Sequence, residues 1–249
     1  MNTNGNTVLI TGGGTGIGLC LAEEFVKSGN DVIICGRREE KLREAKEKLP
    51  QISTKVCDIS KAKDREELFD WVVSEHKEIN VLVNNAGVQR MIDFKKGITE
   101  LARHENEVDI NLASAIQLSA YFIPALMRRK ESAVVNVTSG LAFIPLAIMP
   151  VYCATKAALH SFSVSLRHQL KNTTVKVFEI IPPTVDTELD RGTRAERNMT
   201  YRGIPPAEVA IATMKALAED TYELAVGQAM GLMEASRTNF TEQFGRMNH

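Results

Sequence analysis

Thr7-Val8-Leu9-Ile10-Thr11-Gly12-Gly13-Gly14-Thr15-Gly16-Ile17-Gly18 passes from an apolar run to a glycine cluster and into an amphipathic segment. Thr7 to Thr11 reads as a short strand. Gly16 to Ser28 reads as a helix with apolar Leu19, Leu21, Ala22, Phe25 and Val26. Gly12, Gly16 and Gly18 stand where the backbone must turn tightly and come close to a phosphate, which only a residue without a side chain permits. The helix start adds free N–H groups and a partial positive charge. The spacing is G-x-x-x-G-x-G rather than G-x-G-x-x-G, and an ordinary flexible turn is the competing reading. The strand-turn-helix context favours a dinucleotide phosphate site.

Outward from that stretch, apolar runs alternate with longer helical patterns. Asp31 to Cys35, Ile52 to Cys57, Ile79 to Val83, Ala133 to Thr138, Val175 to Ile180 and Glu223 to Val226 read as further strands. A charged helix is expected from Glu39 to Lys48, and the longest ones from Glu100 to Arg128 and from Val151 to Leu170. Several strands are continuous apolar runs, as parallel strands covered on both faces are. The expected fold is therefore α/β: a Rossmann-type doubly wound parallel sheet of about seven strands with helices on both faces. A single domain over residues 1–249 follows, with the charged stretch Asp186 to Pro206 as a substrate lid.

Composition narrows the function classes. Thirty basic residues face thirty-one acidic ones, so no global field would recruit nucleic acid or an anionic membrane. No apolar stretch approaches the roughly 20 residues of a membrane span, and the first six residues do not read as a secretory signal. Cys20, Cys35, Cys57 and Cys153 form no C-x-x-C pair, and a reducing cytoplasm fits them.

The second strand ends Cys35-Gly36-Arg37-Arg38, where a site selective for NAD would present Asp or Glu to the ribose. Arginine suits a phosphate monoester. NADP(H) is expected in preference to NAD(H), with Arg37 as the first contact and Arg38 beside it. Tyr152 and Lys156 lie four apart on a helix and share a face. An ammonium beside a phenol stabilises the phenolate and lowers its pKa from about 10, as a general acid-base tyrosine requires. Ser139, thirteen residues before Tyr152, ends an apolar strand, at the sheet edge where ligands bind.

At this point the chain resembles the short-chain dehydrogenase/reductase family. Thr11 to Gly18, Asp58, Asn84-Asn85-Ala86-Gly87, Asn111, Ser139, Tyr152-Cys153-Ala154-Thr155-Lys156 and Pro182-Pro183-Thr184-Val185-Asp186-Thr187 carry the resemblance in the family's order and spacing. The run from Pro182 to Leu189 is similar to the branch associated with D-alanylation of lipoteichoic acid. The resemblance implies that Tyr152 exchanges a proton with the substrate oxygen while Lys156 lowers its pKa and holds the nicotinamide ribose. Ser139 would polarise the substrate, and Asn111 would help hold a water leading from Lys156. The cofactor would lie on Gly12, Gly14, Thr15, Gly16, Ile17 and Gly18, with Asp58 and Ile59 near the adenine. Asn85, Ala86 and Gly87 would line the adenosine side, and Pro182, Val185 and Thr187 the nicotinamide end. Pro183 departs from the family's usual glycine and stiffens that loop.

Gly140 to Pro150 passes between Ser139 and Tyr152 without a charged side chain, so a partly apolar carbonyl or alcohol substrate is expected, or packing of that segment against its neighbours. No metal is expected, since the five histidines show no ligand spacing. The resemblance further implies a homodimer or homotetramer. A non-catalytic NADP(H)-binding redox sensor is the competing function, disfavoured because a sensor has no use for Ser139 and Tyr152. An epimerase or dehydratase would need a longer C-terminal region.

Overall fold

Seven short strands carry the architecture: β1 (Thr7–Thr11), β2 (Asp31–Gly36), β3 (Ser53–Val56), β4 (Ile79–Asn84), β5 (Ser132–Val137), β6 (Val175–Ile181) and β7 (Glu223–Ala225). They pair in parallel in the order β3-β2-β1-β4-β5-β6-β7. The computed structural model describes residues 1–102, 106–189 and 203–248.

Alternate residues of each central strand feed two separate cores, because successive side chains leave a strand on opposite faces. Val8, Ile10, Val32, Ile34, Val81 and Val83 pack on one face with helices α1 (Gly16–Lys27) and α7 (Pro206–Ala218). Leu9, Ile33, Leu82 and Val134 pack on the other with α3 (Ala62–Glu75), α5 (Ser114–Leu126) and α6 (Pro150–Gln169). Every residue of β1 and β5 is buried, which is why these strands are apolar runs. The helix expected from Glu39 is α2 (Glu39–Lys48), with the same bounds. The chain reverses its direction of travel across the sheet between β1 and β4, which opens a crevice at the carboxyl ends of these strands.

The helix expected from Glu100 to Arg128 is not continuous. A short α4 (Ile98–Ala102) ends before residues that lie outside the described ones, and the next helix starts afresh after Asn106. The Asn106 side chain accepts from the N–H groups of Val108 and Asp109 at 3.0 and 3.4 Å, a capping geometry that sets a new helix start. Asp109–Ala113 then forms a π-helical turn before α5. Of the expected lid, residues 190–202 lie outside the described ones. Its base is closed by Asp186 N–H donating to Ile204 O at 2.9 Å and Ile204 N–H to Thr184 O at 3.1 Å. Two helices complete the chain, α8 (Gln228–Thr238) and α9 (Phe240–Asn248).

Candidate functional site

The glycine turn between β1 and α1 packs so closely against the chain around it that side chains have no room there. Gly12 and Gly16 have φ of +65° and +56°, the left-handed region that glycine adopts without strain. A Cβ on Gly18 would stand 2.4 Å from Gly12 O, and one on Gly12 2.9 Å from Ala86 Cα. Thr15, at the helix start, makes no side-chain cap, and the first turn of α1 carries no acid. Its leading N–H groups are thus left to an anion. The turn is fastened from β4: Thr11 Oγ accepts from the N–H of Asn85 and Ala86, and the Asn85 amide donates to Thr11 O at 2.9 Å and Gly12 O at 3.3 Å. Asn85 therefore holds the cradle as well as lining it.

One cleft of about 740 Å³ runs from this turn across the carboxyl edge of the sheet. Gly12, Gly14, Thr15, Gly16, Ile17, Arg37, Arg38, Asp58, Ile59, Asn85, Ala86 and Gly87 line it towards one end; Ser139, Tyr152, Lys156, Pro182, Val185 and Thr187 line it further along. Gly18 and Asn111 stand behind its wall and shape it. Burial tends to raise the Asp58 pKa, but two hydrogen bonds from Ser60 hold it below the usual range. The cradle, the uncapped helix start and the cleft fit a dinucleotide cofactor. The sequence singled out Arg37 over Arg38; both line the cleft, and Arg38 also reaches Thr15 Oγ at 3.3 Å. Lys41 joins them there, although its sequence position reads as the solvated side of α2.

Tyr152 and Lys156 face the cleft from the first two turns of α6 and are almost wholly buried. The Lys156 ammonium lies 5.8 Å from the centre of the Tyr152 ring and donates to Val137 O at 2.8 Å. Burial lowers its pKa from 10.5 to about 8. Ser139 lies two residues beyond the end of β5, lining the same cleft, and its Oγ accepts from Leu141 N–H at 3.1 Å, leaving its own hydrogen to donate elsewhere. Asn111 sits in the π-helical turn, a local widening common at functional sites. Its amide pairs both ways with the Val88 backbone at 2.8 Å and donates to Thr155 Oγ at 3.1 Å; Thr155 in turn donates to Tyr152 O.

Behind this group lies a charged network that spacing could not reveal. Glu179 on β6 is fully buried, accepts from Thr138 Oγ at 2.7 Å and meets His160 Nδ1 at 2.8 Å. It ties the residue before Ser139 to the helix turn after Lys156. His160, Glu179 and Glu223 bring ligand atoms within 4.8 Å of one another, yet the Glu179 carboxylate is already engaged on both oxygens. Glu107 was likewise missed: it is buried, its Oε1 accepts from Arg90 N–H at 3.1 Å, and burial pushes its pKa to about 7. Cys153 is buried too, with its thiol pKa raised by burial and its sulfur held against the Leu146 backbone, so it packs the loop between Ser139 and Tyr152.

Beyond Ser139 the cleft wall is Leu141, Leu146, Met149, Leu232 and Met247 with the amides of Gln228 and Gln243. The last helices thus belong to the site. Asn248 accepts from Ala147 N–H at 2.5 Å and donates to Pro145 O at 3.1 Å, closing α9 onto that loop.

Residues 6–198 match the family model described as short chain dehydrogenase, and the chain belongs to that oxidoreductase family. It is 50% identical over 248 residues to an uncharacterized oxidoreductase, DltE, of Bacillus subtilis (strain 168), covering 100% of this chain and 98% of that one. The NADP-dependent 3-hydroxy acid dehydrogenase YdfG of Salmonella typhi is 33% identical over 181 residues, 72% of each chain. The crystal structure of a short chain dehydrogenase/reductase from Burkholderia phymatum in complex with NAD shares the fold, with a TM-score of 0.86 at 20% identity over 100% of this chain and 97% of that one.

Proposed function

We propose that the chain is an NADP(H)-dependent enzyme moving a hydride between nicotinamide and a carbonyl or alcohol carbon, with Tyr152 as general acid-base. The observation that carries this reading is the buried Lys156 ammonium 5.8 Å from the Tyr152 ring, facing Ser139 in one cleft with the glycine cradle. The cofactor supplies or accepts the hydride when bound. Gly12 to Gly18, Asp58 with Ile59, Asn85 to Gly87, and Pro182, Val185 and Thr187 would hold it. Arg37, Arg38 and Lys41 favour a phosphorylated ribose.

Tyr152 exchanges the proton at its phenolic oxygen with the substrate oxygen. Lys156, with a pKa of about 8, remains charged at neutral pH and stabilises the phenolate. Ser139 Oγ donates to the substrate oxygen as charge develops there. Asn111 fixes the Val88 backbone and, through Thr155, the helix turn that carries Tyr152. Leu141, Leu146 and Met149 exclude water and favour an apolar substrate body. Four free cysteines fit a cytoplasmic setting. The side of α5 and α6 turned from the sheet shows small and apolar groups, with Ala120 and Val164 exposed, and suits a homodimer or homotetramer.

Tyr152→Phe tests the assignment in assays with NADP+ and a panel of 3-hydroxy acids and simple secondary alcohols, and in the reverse direction with the matching carbonyls. The expected outcome is a fall in kcat of about 10²- to 10⁴-fold, with the NADPH dissociation constant within about twofold. Turnover that survives the substitution sinks the proton-transfer role.

A further inference from the structure

Three cations and two carboxylates line the ribose-phosphate end of the cleft: Asp58 lies near Arg37, Glu188 pairs with Arg38, and Lys41 is held from outside the cleft by Glu44 at 2.8 Å. Arg37, Arg38 and Lys41 line the rim, and Glu188 stands among them. Arg38 Nη1 donates to Glu188 Oε2 at 2.7 Å while Nη2 reaches Thr15 Oγ. Lys41 feels the same carboxylate: its pKa is raised first by Glu44, with Glu188 adding to the effect.

The backbone beside Glu188 is held at the phosphate turn. Thr187 N–H donates to Val185 O at 2.8 Å, Val185 pairs with Ile204, and the Thr187 methyl packs where a Cβ on Gly16 would stand at 3.0 Å. Thr187, the neighbour of Glu188, is thereby held against the phosphate turn, and the Arg38 ion pair places the Glu188 carboxylate there. With side chains 51% and 38% exposed, the Arg38–Glu188 pair adds little to folding. Its importance is positional. A phosphate monoester and a carboxylate are alternative partners for one guanidinium fork, and two anions on it repel.

We propose that Glu188 is a specificity-determining residue, an internal counter-ion that a ribose 2′-phosphate must displace from Arg38, so that it lowers NADP(H) affinity without comparable effect on NAD(H). This rests on the NADP(H) reading given above. Discrimination between two cofactors is a difference of affinities, and a fixed repulsive group adjusts that difference directly.

Glu188→Gln, which keeps the size and removes the charge, is the test, read by fluorescence titration of the purified protein with NADPH and with NADH. The expected result is an NADPH dissociation constant lower by about three- to tenfold, with NADH changing by less than about twofold. Arg38→Ala should weaken NADPH, and in that background Glu188→Gln should lose most of its effect, the coupling expected of residues in contact. Glu188→Ala should repeat the direction of Glu188→Gln. A variant that binds NADPH no better, or less well, overturns the proposal while wild-type preference for NADPH leaves the cofactor reading standing. Wild type without any NADPH preference overturns the cofactor reading, and this proposal with it.

Discussion

Lys156 is an ammonium placed where burial opposes its charge. It is 3% exposed and donates to Val137 O, and its pKa falls from 10.5 to about 8. Between those two values the unfolded chain binds more protons than the folded one, so stability rises with pH across that window. Below pH 8 the folded protein bears the full cost of the buried charge. Lys156→Met should therefore be more stable than wild type at pH 7, by about 1–3 kcal/mol, and lose that advantage as the pH approaches 10.5. Denaturant unfolding of both proteins at the two pH values measures this; equal stability at pH 7 contradicts it. The proposed acid-base pair is legible as a motif because Tyr152 and Lys156 are neighbours on one helix. Glu179 and Glu107 were not legible. A buried carboxyl is identified by what the folded chain packs around it, and neither His160 nor Arg90 stands at a distance from its partner that a local pattern registers.

At the scale of elements, strand positions followed from composition and helix ends less well. All seven strands lie within a residue or two of their expected places, the central ones because largely apolar runs admit little else in a sheet covered on both faces. The interruption at Asn106 has no composition signal because apolar residues continue on both sides of it, and one capping side chain decides the matter. The π-helical turn at Asn111 has no sequence signal of its own. The β1–α1 connection is the least tolerant element, since three glycines there approach other backbone or side-chain atoms closely. Gly18→Ala places a methyl 2.4 Å from Gly12 O and 2.5 Å from the Asn85 amide. The expected cost is about 1–3 kcal/mol of stability, with NADPH binding weakened by more than about tenfold. Thermal unfolding and cofactor titration check both, and wild-type binding in the variant contradicts the close approach.

At the scale of the molecule, the sheet order and the position of the cleft follow from alternating strands and helices, whereas the substrate wall does not. Gln228, Leu232, Gln243 and Met247 reach the cleft from the last two helices, far along the chain from the catalytic groups. The uncharged run from Gly140 to Pro150 pointed to one side of that wall, which Leu141, Leu146 and Met149 form; the side from the last two helices has no fixed spacing to mark it. The outer sides of α5 and α6 lead to one expectation about assembly. Sedimentation should show a dimer or tetramer, and Val164→Arg, at a position 44% exposed, should shift it to smaller species with little change in melting temperature. An unshifted wild-type monomer contradicts that surface assignment. Finally, α9 has no buried residue, and Asn248 fastens it to Pro145 and Ala147, in the loop beside Leu146. The portion of the cleft wall that α9 contributes is thus mechanically peripheral to the two cores under the sheet. Gln243 and Met247 can therefore be exchanged to reshape the cleft while those cores remain as they are.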